Sequence, residues 1–189
     1  MFKVKEKNIL RERLISQRNF LYNKHSKSII DMEVLNKFIE LIDQLQPSSV
    51  GLYKSFGSEL DTILLDAFLR ERNIAVYYPK LIEGEMNFVL SNSVCDFSKS
   101  ISGFLEPVNH GEVSVPELVI TPALALDNEN YRLGYGKGYY DKYIKQHQNK
   151  QYISFILKNF ILEKLPRDEW DLQINKIIEI NVPNINIMK

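Results

Sequence analysis

The chain of 189 residues has one cysteine, Cys95, only three histidines and no net charge. A lone cysteine excludes an internal disulfide and any metal site built from several thiolates. With no basic motif around it, Cys95 reads as an ordinary core or surface position. His25, His110 and His147 form no ligand pattern with acids or with Cys95 and read as surface or structural residues. Lys plus Arg and Asp plus Glu both number 24, so nothing global points to nucleic acid, and any anion site must be local. No apolar run is long enough to span a membrane. The N-terminus (MFKVKEKNIL) is charged and lacks the apolar stretch of a signal peptide, so a cytoplasmic protein is expected. Internal repeats, low-complexity tracts and Pro/Gly/Ser linkers are missing as well. With 44% hydrophobic and 25% charged residues, the length suits one well-cored domain over residues 1–189.

The first 46 residues contain neither glycine nor proline and read as two helices. The second carries Val34, Leu35, Phe38, Leu41, Ile42 and Leu45 at helical spacing, which predicts one buried face, and Pro47 stops it. Ser49–Lys54 reads as a buried strand and Leu60–Arg72 as a helix with Asp61 near its start. Ile74–Tyr78 is the next strand, and Met86–Leu90 a short one after a turn at Glu83-Gly84. Leu118–Thr121, Tyr152–Leu157 and Ile177–Ile180 complete the strands. Strands alternating with helices imply parallel crossovers, hence an α/β fold: a helix/sheet/helix sandwich around a mostly parallel sheet. Ligands of such sheets bind beyond the carboxyl ends of the strands. A Gly-rich loop and the Lys54–Glu59 loop sit at two of these ends.

The Gly-rich loop is Arg132-Leu133-Gly134-Tyr135-Gly136-Lys137-Gly138-Tyr139-Tyr140-Asp141, followed by a helix-compatible run. Glycine lets backbone N–H groups approach a ligand, and a helix N-terminus adds unpaired donors and a positive dipole end. Arg132 and Lys137 bring mobile positive charge to the same spot. The spacing fits neither the P-loop, since Gly138 follows Lys137, nor the dinucleotide fingerprint, since Tyr139 takes the sixth place. A Gly-rich turn alone can be purely conformational. Arg132, Lys137 and Asp141 within ten residues turn the reading toward a phosphate-bearing ligand.

Lys7, Arg11 and Arg18 fall on roughly one helix face, either a solvated basic face or one laid against a polyphosphate. Glu59 either stabilises a helix start or accepts N–H groups from an amino-pyrimidine ring. Asp141 and Asp171 are open to two readings, ordinary solvated or dipole-compensating carboxylates, or a sparse site for Mg²⁺. Tyr53, Phe56 and Phe104 fall in expected loops, where aromatic side chains can stack on a flat ring.

The chain resembles the 5-formyltetrahydrofolate cyclo-ligase family, nearly end to end. The resemblance is carried by Lys7-Asn-Ile-Leu-Arg11 continuing to Arg18, by VGLYKSFGSELDT (Val50–Thr62), and by YPK at Tyr78–Lys80. It is carried further by M-x-F at Met86–Phe88, by Glu106-Pro107, and by TPALALD followed by YRLGYGKGYYDKY, the most specific block. Asn130 stands where many members have glycine, and asparagine also tolerates a left-handed backbone. Leu126 replaces a frequent phenylalanine, and Asn175 a common aspartate.

The resemblance implies an ATP- and Mg²⁺-dependent ligase that closes 5-formyltetrahydrofolate to 5,10-methenyltetrahydrofolate, releasing ADP and phosphate. It implies ATP-binding segments at Lys7, Asn8, Ile9, Leu10 and Arg11 and at Arg132, Leu133, Gly134, Tyr135, Gly136, Lys137, Gly138, Tyr139 and Tyr140. Lys54 and Glu59 match folate-contacting positions, and Asp141 and Asp171 match magnesium positions. Lys137 and Arg132 are the residues expected to stabilise the transferring phosphoryl. Expected partners are the folate and ATP, with no nucleic acid and no membrane, and the chain is expected to be a monomer. Two other readings stay open: a non-catalytic folate or nucleotide sensor, and a sugar-phosphate-binding enzyme of similar layout. The Lys137–Asp141 pair argues against the first, and Glu59 with its aromatic surroundings against the second.

Overall fold

The structure is a computed structural model and describes residues 2–24, 27–92, 97–100, 103 and 105–181. Its α-helices are α1 (Phe2–Lys24), α2 (Lys27–Leu45), α3 (Ile63–Glu71) and α4 (Tyr139–Gln146). The strands are β1 (Ser49–Gly51), β2 (Ala75–Ile82), β3 (Glu85–Leu90), β4 (Phe97–Lys99), β5 (Leu105–Pro107) and β6 (Val113–Ser114). They continue with β7 (Leu118–Ile120), β8 (Ala125–Asp127), β9 (Arg132–Leu133), β10 (Gln151–Leu157), β11 (Ile161–Leu162) and β12 (Lys176–Ile180).

Seven strands form the main sheet in the order β12-β10-β7-β1-β2-β3-β6. The first five run parallel, and β3 and β6 add an antiparallel edge. Every residue of the central β7 is buried, as for a parallel strand covered on both faces. Ring contacts fix the layers. Phe155 of β10 packs on Phe38 of α2, which packs on Phe68 of α3. Tyr152, three residues earlier, meets Tyr143 of α4. Side chains three apart on a strand leave opposite faces, so α2 with α3 and α4 cover different faces. The expected helix/sheet/helix sandwich is present.

The two N-terminal helices and the larger strands stand where patterning placed them, with corrections at the ends. Leu45, assigned to the buried face of the second helix, is exposed at its last position. The strand expected over Ser49–Lys54 ends at Gly51, after which Lys54 pairs with Leu105 of β5 instead. The helix expected from Leu60 begins at Ile63, because the Tyr53 hydroxyl takes the Leu60 carbonyl and Asp61 accepts from the Ile63 N–H. The strand at Ile74–Tyr78 runs on to Ile82 and turns through Glu83 and Gly84, both at positive φ, into β3. Strands β4, β5, β6, β8, β9 and β11 are two or three residues long, too short to show a period.

This sheet order sets up the site. The segments that leave the carboxyl ends of β1, β7 and β10 emerge side by side, with the β7 segment in the middle.

Candidate active site

The central segment is shaped by one buried carboxylate. Asp127, at the end of β8, is fully buried. Its Oδ1 accepts the N–H groups of Glu129 and Tyr131, both at 3.0 Å; its Oδ2 accepts from Leu165 at 3.0 Å and from Arg167 Nη2 at 2.7 Å. Burial opposes the charge, but these hydrogen bonds outweigh it and hold the Asp127 pKa below the ordinary carboxylate value. The turn they close passes through Asn130 at φ 64°, the left-handed conformation that asparagine tolerates in place of glycine. The chain then returns as β9, antiparallel to β8, with Leu126 opposite Arg132.

Arg132 corrects one expectation. Its charge is not mobile: the side chain is buried, Nη1 donates to the Pro122 carbonyl at 3.1 Å, and Nη2 donates to both Asp141 oxygens at 3.2 and 3.1 Å. The guanidinium also lies 5.3 Å from the Tyr140 ring centre. Arg132 and Asp141 therefore tie the loop's entry to the first turn of α4. The exposed cation of the loop is Lys137, which forms no ion pair among the described residues.

Two glycines of the loop answer to close approach. A Cβ on Gly134 would stand 2.6 Å from Arg132 Nη1. Gly136 has φ +94°, and a Cβ there would stand 3.1 Å from Arg11 Cζ. Arg11 reaches the loop directly: Nε donates to the Gly134 carbonyl at 2.8 Å, and Nη1 to Asn8 Oδ1 at 2.7 Å. Helix α1 thus lies across the Gly loop.

Lys7, one turn earlier, is buried and donates to Asp168 Oδ2 at 2.7 Å and Asp171 Oδ2 at 2.5 Å. Asp171 also accepts the Asp168 N–H at 2.8 Å. Arg18 does not share this role. It is buried, donates to the Ala123 carbonyl at 2.7 Å, and stands 5.8 Å from the Phe160 ring. The helical face read as basic divides into two cavity residues and one internal tie.

On the β1 side, Glu59 Oε2 accepts the Phe56 N–H at 2.8 Å. Helix α3 starts only at Ile63, so capping its first turn falls to Asp61. Burial pushes the Glu59 pKa up to about 7, against the lowering by the Phe56 N–H and Arg18. Three phenols feel that carboxylate: burial first, then Glu59, raises Tyr53, Tyr135 and Tyr140. The Tyr140 hydroxyl is buried without a hydrogen-bond partner among the described residues. Lys54 Nζ lies 5.0 Å from the Phe97 ring and Lys99 Nζ 5.5 Å from the Phe56 ring, so the β4–β5 ribbon reaches over this side. Cys95, His25 and Phe104 lie outside the described residues. His147 packs on Tyr143 at the end of α4, and His110 is exposed; neither lines the site.

These parts enclose a cavity of about 720 Å³. It is lined by Lys7, Asn8 and Arg11, by Lys54 and Glu59, by all ten residues from Arg132 to Asp141, and by Asp171. Ile9 and Leu10 are not in the lining: Ile9 is exposed, and Leu10 packs on the core. Residues 7, 8 and 11 share a helix face that residues 9 and 10 rotate away from. Asp168, Trp170 and Lys99 also line the cavity. Sequence reasoning passed over them, although Asp168 and Trp170 flank the singled-out Asp171.

The donor set fits magnesium. Asp141 and Asp171 both face the cavity, and each already neutralises a cation. Among the described residues, no three His, Cys, Asp or Glu side chains are grouped to hold a metal by themselves. Mg²⁺ usually takes one or two carboxylates and completes its shell with water and phosphate oxygens.

Comparison with known proteins agrees with the geometry. Residues 3–179 match the 5-formyltetrahydrofolate cyclo-ligase family. The 5-formyltetrahydrofolate cyclo-ligase of Mycoplasma pneumoniae is 27% identical over 176 residues, which span 92% of this chain and 98% of that protein. That of Haemophilus influenzae is 29% identical over 157 residues, 78% of this chain and 84% of that one. The solved 5,10-methenyltetrahydrofolate synthetase of Aquifex aeolicus superposes with a TM-score of 0.78 at 26% identity, covering 92% of this chain and 89% of that structure. The family match runs through every segment that builds the cavity, and the chain belongs to the 5-formyltetrahydrofolate cyclo-ligase family.

Proposed function

We propose that the protein closes 5-formyltetrahydrofolate to 5,10-methenyltetrahydrofolate at the expense of ATP, with Mg²⁺, through a phosphorylated formyl oxygen. One observation carries this reading: a single cavity gathers a Gly-rich loop with an exposed lysine, a basic helix face, and a half-buried glutamate among aromatic rings. The first two suit a triphosphate and the third an amino-pyrimidine ring. A monomer is part of the same proposal. No helix among the described residues is long and apolar enough to cross a membrane; a cytoplasmic location is part of the proposal.

The chemistry asks little covalent work of the protein. A formamide oxygen is a poor leaving group, and its carbon a poor electrophile. When that oxygen attacks the γ-phosphorus, ADP departs and the oxygen carries the phosphoryl. N10 of the folate then attacks the activated carbon, and phosphate leaves as the ring closes. The protein must align the oxygen with the phosphorus and stabilise the charge that spreads over the transferring group.

Sheet order serves the alignment. The β1 segment with Lys54 and Glu59 neighbours the Gly loop after β7, so a ring held by Glu59 lies in the same cavity as the loop. Lys137 and the loop N–H groups meet the phosphoryl oxygens. Arg132 contributes by fixing Asp141 and the loop's entry, a positioning role rather than a mobile contact. Asp141 and Asp171 are the residues that would hold Mg²⁺, which would supply neutralisation of phosphate charge.

The test is direct. Mixing protein, 5-formyltetrahydrofolate and Mg-ATP must raise absorbance at the methenyl-folate band, and omitting ATP must abolish the rise. A flat trace with folded protein and both substrates refutes the proposal.

A further inference from the structure

We infer that Trp170 is the stacking platform for the base of the nucleoside triphosphate. The inference rests on the ATP reading above and extends it to the base, which nothing in the loop chemistry addresses.

Trp170 is the only tryptophan in the chain and is 60% exposed, yet it lines the cavity. Its backbone is held firmly. The Asp171 N–H donates to the Asp168 carbonyl at 3.2 Å, and the Asp168 N–H to Asp171 Oδ2 at 2.8 Å, closing the turn on which it sits. Lys7 clamps both carboxylates from α1. Just upstream, Arg167 bonds Asp127 and Glu129 and lies 3.8 Å from the Tyr131 ring. A large apolar ring left in water on a doubly fixed turn is preorganised for a flat partner, since little freedom is lost when one binds.

Two flat rings would enter this cavity, and sheet order separates them. Trp170 belongs to the segment after β10 and β11, on the side of β7 away from β1. Glu59, Lys54 and the β4–β5 ribbon lie on the β1 side. The pterin ring falls to Glu59, and the base falls to Trp170. Lys7 and Arg11, with the polar Asn8, lie between Trp170 and the Gly loop, along the path a triphosphate would take. Val4, on the same α1 edge, adds a second exposed apolar side chain to this end of the cavity.

Calorimetry compares Mg-ATP with Mg-tripolyphosphate, which carries the charge without a base. Stacking a base on an aromatic ring contributes on a scale that alanine substitution reads as about tenfold or more in affinity. Trp170→Ala should weaken Mg-ATP about tenfold and leave Mg-tripolyphosphate unchanged; Trp170→Phe should recover most of the loss. In steady state, Trp170→Ala should raise KM for ATP but not for the folate. Wild-type indole fluorescence should change with Mg-ATP and not with Mg-tripolyphosphate. Equal losses for both ligands would make Trp170 a mere support of its turn, and an unchanged Mg-ATP affinity would remove it from the site; either overturns the inference. Wild-type protein that binds neither ligand defeats the ATP reading itself, an outcome distinct from both.

Discussion

Glu59→Gln changes one ionisable group and almost no volume, and its effect on stability follows from the site's electrostatics. Burial moves the Glu59 pKa from an ordinary 4.5 to about 7 in the folded protein. A raised folded pKa means that the fold holds the proton more tightly than the unfolded chain does. The stabilisation is therefore complete below about pH 4.5 and is lost as pH rises through about 7. At about 1.4 kcal/mol per pH unit of displacement, ionised Glu59 burdens the fold by about 3 kcal/mol at pH 8. Glutamine keeps an oxygen for the Phe56 N–H and cannot ionise. The variant should match wild type at about pH 4 and exceed it at pH 8 by up to about 3 kcal/mol. For a chain of this size each kcal/mol moves Tm by about 2–4 °C, so circular dichroism melts at the two pH values resolve the difference. A stability change of equal size at both pH values would refute the reasoning. The same substitution should weaken folate binding more than ATP binding, the trade expected where a site keeps a destabilising group for function. Loss of ATP affinity with folate affinity intact would remove Glu59 from the folate side.

Lys137→Ala should lower turnover at least roughly a hundredfold, the scale for losing one placed charge-stabilising donor, with an unchanged melt; near-normal turnover excludes Lys137 from phosphoryl transfer. Asp141→Asn should raise the Mg²⁺ concentration for half-maximal rate, whereas an unchanged titration would leave Asp141 only its role as partner of Arg132. Asp127→Ala should destabilise by about 3 kcal/mol or more, since it strands the Arg167 contact and three backbone N–H groups. Because the folded Asp127 pKa is lowered, its stabilisation is present above the ordinary carboxylate pKa and fades as pH falls through the lower folded value. The variant's deficit should therefore shrink in acid, and a deficit constant with pH would contradict this account.

The helices and the parallel strands were legible because each carries a period or an unbroken apolar run. Val34, Phe38, Leu41 and Ile42 are buried on one face of α2, as their spacing requires. The Gly loop was legible because its glycines and Lys137 leave few uses for such a stretch, and the cavity collects all ten of its residues. What could not be read were pairings between distant segments. Lys7 meets Asp168 and Asp171 across more than 160 positions, and no local pattern announces that contact. Arg132 looked like free charge because its acceptors, Pro122 and Asp141, meet it only after β8 and β9 fold back on each other. Ile9 and Leu10 came with the Lys7–Arg11 segment that the resemblance implies, and helical rotation turns them away from the cavity lining. Trp170 lies in a stretch without periodicity, so its exposure is visible only in three dimensions.

The central claim is that the formyl oxygen attacks ATP, and isotope transfer tests it most directly. Direct transfer needs only the formyl oxygen aligned with the γ-phosphorus, so no phospho-enzyme is expected. Substrate labelled with heavy oxygen in the formyl group should pass that atom to the released phosphate, as read by mass spectrometry. Label found in water instead, or phosphate trapped on the protein, would contradict the account.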